Sequence, residues 1–382
     1  MEVIKSLPEV FEEFGEARRN SFLAVKEFKE KGIPVVGAYC TYFPQEIVMA
    51  AGGACVSLCS MSDEPISEAE QDLPANLCPL IKSSYGFAKS DKCPYFHFSD
   101  IVVGETTCDG KKKMYELMSD FKELYLMNLP NSQDDASREL WKKEVRKFKE
   151  YIEEKLGVEI TDEKLRAAAH LKNQEREAQR KLSELMMHDP APMPGLDLFT
   201  TVDGSTFKFD KEQLIQDIDA LREHIEAEYQ AGKNVGPKLR ILITGCPMGG
   251  GTNKVIQAVE NNGGVVVAFE NCSGYKRFHG LVDEEADDIL GAIADRYLNI
   301  GCSVMTPNPN RLELLDQLMT QYNVDGVIDM SLATCLTYNI ESKTIECFVT
   351  GKGIPYLSIE TDYSQADVAQ LNTRITAFLE ML

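Results

Sequence analysis

The sequence predicts an α/β protein with two parallel-sheet domains and a helical segment between them. Three observations carry this reading. Short apolar runs alternate with segments of helical period in both halves, which implies parallel strands joined by right-handed crossovers. At 382 residues the chain exceeds one ordinary core. Between about Asp134 and His188 charged residues dominate, and apolar ones recur at helical spacing, as in Leu140, Val145, Phe148, Ile152 and Leu156.

In chain order, a helix over 7–31 leads into a strand ending at Cys40. Pro44 suits the first turn of the next helix, and Gly52 with Gly53 suits its stop. A short strand over 54–59 precedes a polar, turn-rich stretch that carries Cys78 and Cys93. Strands at 100–108 and 124–129 complete the first sheet. The charged segment reads as an antiparallel helical pair, broken by the proline-rich run 189–195. A helix over 210–231 and a Gly/Pro linker lead into the second sheet, with strands near 239–245, 265–271, 325–329 and 354–360. Helices at 252–262 and 283–297 lie between those strands. The expected boundaries are 1–132 for an N-terminal α/β domain, 133–236 for the helical insert and linker, and 237–382 for a C-terminal α/β domain. Both sheets are expected to be Rossmann-like, a duplication of architecture without a residue-by-residue repeat.

Composition excludes several classes of function. A net charge of −21 argues against binding a nucleic-acid backbone, which needs clustered Lys and Arg. No window approaches the roughly 18 apolar residues of a membrane span. The first residues lack the basic flank and apolar run of a signal peptide, so the cytoplasm is the expected compartment. One basic run, Lys111-Lys112-Lys113, reads either as a solvated helix start or as positive charge beside an anionic group.

The 11 cysteines are the informative residues. An odd count in a cytosolic chain argues against a disulfide framework and leaves metal binding or reactive thiols. No Cys-x-x-Cys occurs, which removes zinc fingers, thioredoxin-type motifs and local ferredoxin runs. Cys40, Cys108, Cys246 and Cys272 each close a predicted strand, and Cys335 follows one by a few residues. Strand carboxyl ends of an open parallel sheet face the ligand crevice, so thiols repeated there converge in space. Cys78, Cys93 and Cys246 each precede a proline, which fixes the backbone after a ligand. Cys55 and Cys347 read as small apolar fillers, and Cys59 and Cys93 read as core packing. Glu46, in a first helical turn near Cys40, is a dipole-favouring carboxylate and a candidate proton donor. Gly245-Cys-Pro-Met-Gly-Gly-Gly-Thr-Asn-Lys254 lacks the Gly-Lys-Ser/Thr of a phosphate loop; it reads as a flexible loop aiming amides at a cofactor.

These residues resemble a known superfamily. Residues 37–52, 77–86 and 104–113, with Glu270-Asn-Cys-Ser-Gly274 and Asp325-Gly-Val-Ile-Asp-Met-Ser-Leu-Ala-Thr-Cys335, look like the 2-hydroxyacyl-CoA dehydratase and benzoyl-CoA reductase superfamily. Within it the chain is most similar to the double-cubane cluster protein branch. The resemblance implies an iron–sulfur cluster and a separate ATP-hydrolysing iron–sulfur activator that delivers electrons. By motif, Cys78, Cys108 and Cys335 fall on the ligands of one four-iron cubane. A double cubane needs six thiolates; Cys40 and Cys246 supply two more, and either Cys272 or Cys302 the sixth. The activity so implied is an anaerobic reductase component, expected as a homodimer, that reduces a small unsaturated substrate at the cluster. The alternatives are a 2-hydroxyacyl-CoA dehydratase subunit with one 4Fe-4S cluster, acting by radical dehydration, and a non-catalytic cluster carrier or electron-storage protein.

Overall fold

The computed structural model describes residues 6–382. The first half runs α1 (Leu7–Asn20), α2 (Phe22–Glu30), β1 (Val35–Ala38), α3 (Gln45–Ala50), β2 (Ala54–Ser57), α4 (Ile66–Ala69), α5 (Pro79–Lys89), α6 (Pro94–Phe98), β3 (Ile101–Glu105), α7 (Asp109–Met118) and β4 (Leu124–Met127). Four further helices follow: α8 (Asp135–Leu156), α9 (Asp162–Glu184), α10 (Gly195–Ser205) and α11 (Lys211–Gln230). The second half runs β5 (Leu239–Gly245), α12 (Asn253–Asn261), β6 (Gly264–Phe269), α13 (Tyr275–Phe278), α14 (Ile289–Leu298), α15 (Pro309–Gln321), β7 (Gly326–Leu332), α16 (Leu336–Gly351), β8 (Tyr356–Thr361) and α17 (Val368–Leu379).

The two sheets are wholly parallel and share one topology, β2-β1-β3-β4 and β6-β5-β7-β8. In each, strand order reverses beside the first strand, so the crevice opens at the carboxyl ends of β1 and β3, and of β5 and β7. Period-two alternation splits the first sheet between two cores. Val35, Val56 and Val102 face α5, α7 and the second half, whereas Val36, Ile101 and Val103 pack with Trp141, Val145 and Phe148 of α8.

Each long helix carries its own start signal. The Asp134 side chain accepts from the Ser137 amide at 2.8 Å, and α8 ends at Gly157 in the left-handed region (φ 64°). Thr161 caps α9. These helices are not a pair lying along one another: α8 packs on α14, while α9 packs on α3, α11 and α14. Helix α14, from the second half of the chain, thus contributes Ile289, Ile293, Ala294 and Leu298 to the core behind the first sheet.

Local expectations depart from the structure at three places. The helix expected over 7–31 breaks at Ser21, whose hydroxyl is 2.7 Å from the Tyr95 hydroxyl. The stretch read as turns contains α5, because Ser83 and Ser84 spend their hydroxyls on the 60–62 backbone and on Ser60. The helix expected from 283 starts at 289, where Asp288 accepts from the Gly291 amide at 2.9 Å.

Candidate metal centre

The carboxyl ends of both sheets bring cysteines together in two groups. Cys78, Cys246 and Cys335 form the first. The Cys246 and Cys78 thiols both donate to Cys335 Sγ, which pulls the Cys335 pKa down to about 3 despite burial. The same contacts, with desolvation, push Cys78 and Cys246 well above the ordinary thiol range. One shared negative charge therefore sits easily on this trio. Local structure presents each sulfur. Cys78 and Cys335 are the N-cap residues of α5 and α16, where backbone amides and the helix dipole favour a thiolate. Cys246 ends β5 and accepts from the Leu332 amide at 3.3 Å. Thr334, at φ 60°, turns the chain sharply between β7 and Cys335.

Cys40, Cys272 and Cys302 form the second group. Burial raises the Cys40 pKa; Lys111 opposes the rise, and Glu105, Cys272 and Cys302 add to it. Cys272 is raised by burial and by Cys302, with Lys276 opposing. Cys40 follows β1, and Cys272 follows β6 and lies 3.6 Å from the Thr41 hydroxyl. Cys302 lies on no strand. Its loop is drawn to the first sheet because Tyr42 donates to the Ile300 carbonyl at 2.8 Å and Gln133 to the Leu298 carbonyl at 2.7 Å. Both candidates for a sixth thiol therefore stand with Cys40. Cys108, expected by motif as a ligand, is the N-cap residue of α7 and packs against the main core that also holds Cys78 and Cys246.

Several buried polar groups face these thiols without hydrogen-bond partners. The Tyr363 hydroxyl lies beside Cys78, Cys246 and Cys335, and the Tyr115 hydroxyl lies near Cys40 and Cys59. Both carboxyl oxygens of Glu105 are likewise unpartnered. Burial outweighs the attraction of Lys111 and lifts Glu105 to about 8, so it holds its proton at neutral pH. Its signal in the sequence is a carboxylate closing the otherwise apolar run Ile101–Glu105, a signal the cysteine pattern overshadowed. Among the described residues, no three Cys, His, Asp or Glu side chains stand at the spacing of a single metal ion. Soft thiols in two trios suit a cubane better, because each ligand then takes a different iron. The donor chemistry and the unpartnered hydroxyls fit an iron–sulfur group.

Other sequence expectations resolve differently. Burial raises Glu46, but Arg176 at 2.6 Å, a helix-start amide and the Tyr297 hydroxyl outweigh it and hold the carboxyl below its ordinary range. An ionised, fully enclosed Glu46 anchors Arg176 and has no proton to give. In the glycine loop, expected to be flexible and to aim amides at a cofactor, three amides are spent on the protein itself. Gly251 donates to the Met61 carbonyl, Gly249 to Thr252 and Met248 to Ser273. A Cβ on Gly250 would stand 2.3 Å from the Met61 carbonyl oxygen, and one on Gly251 2.3 Å from that of Tyr363, so close packing is what requires glycine there. Lys111 is buried and donates to the Tyr39 carbonyl at 2.8 Å, whereas Lys112 and Lys113 pair on the surface. Cys347 is exposed on α16 rather than a core filler. Cys59 donates to the Tyr39 carbonyl at 2.7 Å, and Cys93 accepts from the Phe96 amide.

A cavity of about 150 Å³ opens beside the second trio. Cys40, Cys272 and Lys111 line it together with Lys172, Lys211, Arg277 and Arg296. No helix among the described residues is long and apolar enough to cross a membrane.

Comparison with known proteins agrees with this architecture. The sequence profile of the family described as 2-hydroxyglutaryl-CoA dehydratase, D-component, matches residues 40–382. YjiM of Escherichia coli K12, whose name assigns it provisionally as a dehydratase subunit, is 54% identical over the full length of both chains. The (R)-phenyllactyl-CoA dehydratase beta subunit of Clostridium sporogenes is 24% identical over 94% of each chain. A benzoyl-CoA reductase subunit from Thauera aromatica is 21% identical, again over 94% of each. The match spans nine-tenths of the chain, from the end of β1 through the whole second sheet, and this protein belongs to the 2-hydroxyglutaryl-CoA dehydratase D-component family, within the superfamily of 2-hydroxyacyl-CoA dehydratases and benzoyl-CoA reductases.

Proposed function

We propose that this chain is an iron–sulfur reductase component that takes low-potential electrons from an ATP-hydrolysing activator and reduces a small unsaturated substrate. One observation carries the proposal: six thiols meet in two trios, enough for a double-cubane cluster where a single cubane needs three. Cys78, Cys246 and Cys335 would hold one cubane, and Cys40, Cys272 and Cys302 the other. When bound, such a cluster supplies the one-electron chemistry. The protein's own residues do the rest. Lys111 sets a buried positive charge beside Cys40, and the cavity lined by Cys40 and Cys272 shelters a substrate from water. Leu336 and Ile340, 71% and 75% exposed on the first turns of α16, give the activator an apolar surface beside Cys335.

The names of the relatives favour a second reading, a dehydratase subunit that pairs with a homologous chain and holds one 4Fe-4S cluster. Iron and acid-labile sulfide analysis of anaerobically purified protein separates the two. About eight irons per chain supports the double cubane and about four the dehydratase. A colourless protein after reconstitution overturns both. Turnover of an unsaturated probe with activator and ATP then tests the reductase activity itself.

A further inference from the structure

In a chain of net charge −21, the charged residues that line the cavity beside Cys40 are mostly cations. Lys111 stands against the thiols. Lys111 acts on Cys40 and Lys276 on Cys272. Lys172 and Lys211 share one carboxylate, Glu175, at 2.7 and 3.1 Å, which leaves one positive charge over. Arg296 is 7% exposed and donates only to the backbone carbonyls of Gly280, Arg277 and His279. Arg277 donates to the Val202 carbonyl and the Thr206 hydroxyl, and Arg18 to the Cys59 carbonyl. Among the described residues, no carboxylate lies within 4.0 Å of these three guanidinium groups. Asp203 is the one remaining carboxylate on the wall; burial raises its pKa, while Arg277 and Arg18 pull it down. Burial and the neighbouring Arg176 weigh against charge on Arg296, yet an arginine keeps its proton at neutral pH. A buried cation without a counter-ion is costly, and an anion entering the cavity removes that cost.

We infer that the ligand of this cavity carries a negatively charged group of carboxylate or phosphate type, seated between Arg277, Arg296 and the Lys172–Lys211 pair, with its uncharged part toward Cys40 and Cys272. This deepens the proposed function, resting on it for the cavity's role as a substrate site, and sets the substrate class: an anionic molecule rather than a neutral one. Planar guanidinium forks match both carboxylate and phosphate oxygens.

Calorimetric titration of the anaerobically purified full-length protein tests the inference, with acetate, inorganic phosphate and acetamide as probes. Acetate and acetamide have nearly the same shape and differ in charge. Saturable binding of acetate or phosphate, with acetamide weaker by about tenfold or more, is expected, the scale of a hydrogen bond to a charged group. The tighter of the two anions identifies the source, organic acid or phosphate. Arg277→Gln should weaken anion binding by about tenfold without changing acetamide binding or iron content. Lys211→Gln, at another member of the seat, repeats the test if Arg277→Gln fails to fold, as judged by circular dichroism. Equal binding of acetate and acetamide, or anion affinity unchanged in a folded variant, overturns the inference. So does loss of iron with anion affinity intact, because the arginines would then balance the cluster's charge. The readouts are separate: a missing cluster with acetate bound overturns the proposed function and leaves the anion site standing.

Discussion

Cys246 ends β5 in the first thiol trio, buried and hydrogen-bonded by the Leu332 amide, and its replacement tests the metal assignment most directly. Cys246→Ser should lower bound iron by about half, since one of two trios loses a ligand. Iron per chain and visible absorbance check this; full iron in the variant removes Cys246 from the ligand set. Glu175 carries a different burden. Burial works against its charge, but Lys172 and Lys211 hold it down to about 2. Its partner Lys172 is not raised in return: burial, with repulsion from Lys211 and Arg176, brings it down to about 8. The triad therefore depends on the one carboxylate, and Glu175→Gln leaves the buried Lys172 and the half-buried Lys211 ammonium groups without it. A loss of about 3–5 kcal/mol is expected, measured by urea unfolding. The pKa of Glu175 is depressed on folding, so its contribution is complete above the ordinary Glu range and is lost as pH falls through about 2. The Glu175 contribution to the stability gap between the two proteins should narrow as the pH falls below the ordinary Glu range.

Helix α10 shows how closely the elements are set. A Cβ on Gly204 would stand 2.1 Å from the Phe14 carbonyl oxygen of α1, and one on Gly195 2.2 Å from the Val266 carbonyl oxygen of β6. Helix α1 thus reaches the second sheet only through an α10 that has no side chain at either crossing. Gly204→Ala should cost about 1–3 kcal/mol and lift α1 away. Hydrogen exchange would locate the loosening at α1 with β5 and β7 unchanged; uniform loosening would contradict it. This element also shows what the sequence withholds. Strands such as Leu239–Gly245 are legible because both faces are buried and the apolar run is continuous. Helix α10 follows a proline-rich break, carries two glycines and starts without a side-chain cap, so its helicity comes from tertiary packing. The thiols divide in the same way. Cys40, Cys246, Cys272 and Cys335 announce themselves by sitting just past strands, where the parallel topology fixes their position. Cys302 does not, because its place depends on Tyr42 and Gln133 gripping a loop more than 160 residues away in sequence. The grouping of Cys246 with Cys78 and Cys335 is a relation between the two halves, and no local pattern encodes it.

At the scale of the molecule, both trios take sulfurs from both halves. Cys78 from the first half meets Cys246 and Cys335 from the second, and Cys40 from the first meets Cys272 and Cys302. The two sheets share the same strand order, so their crevices present equivalent edges, and each trio joins one edge to the other. A cluster held this way ties the halves together as a crosslink does, adding its binding free energy only to the arrangement in which both crevices are closed. The buried strands β5 and β7 share one core with a face of the first sheet, and the other face of β1 and β3 packs in a second core. Removing iron with a chelator under anaerobic conditions should therefore loosen the junction and leave the sheets intact. Amide exchange is expected to quicken at 39–41, 76–80, 270–274, 300–304 and 333–337, and to change little within the four strands. Reconstitution should restore the slow rates. If the strands lose protection in step with the loops, the metal supports the folding of each domain; if neither changes, the six thiols do not share a common centre.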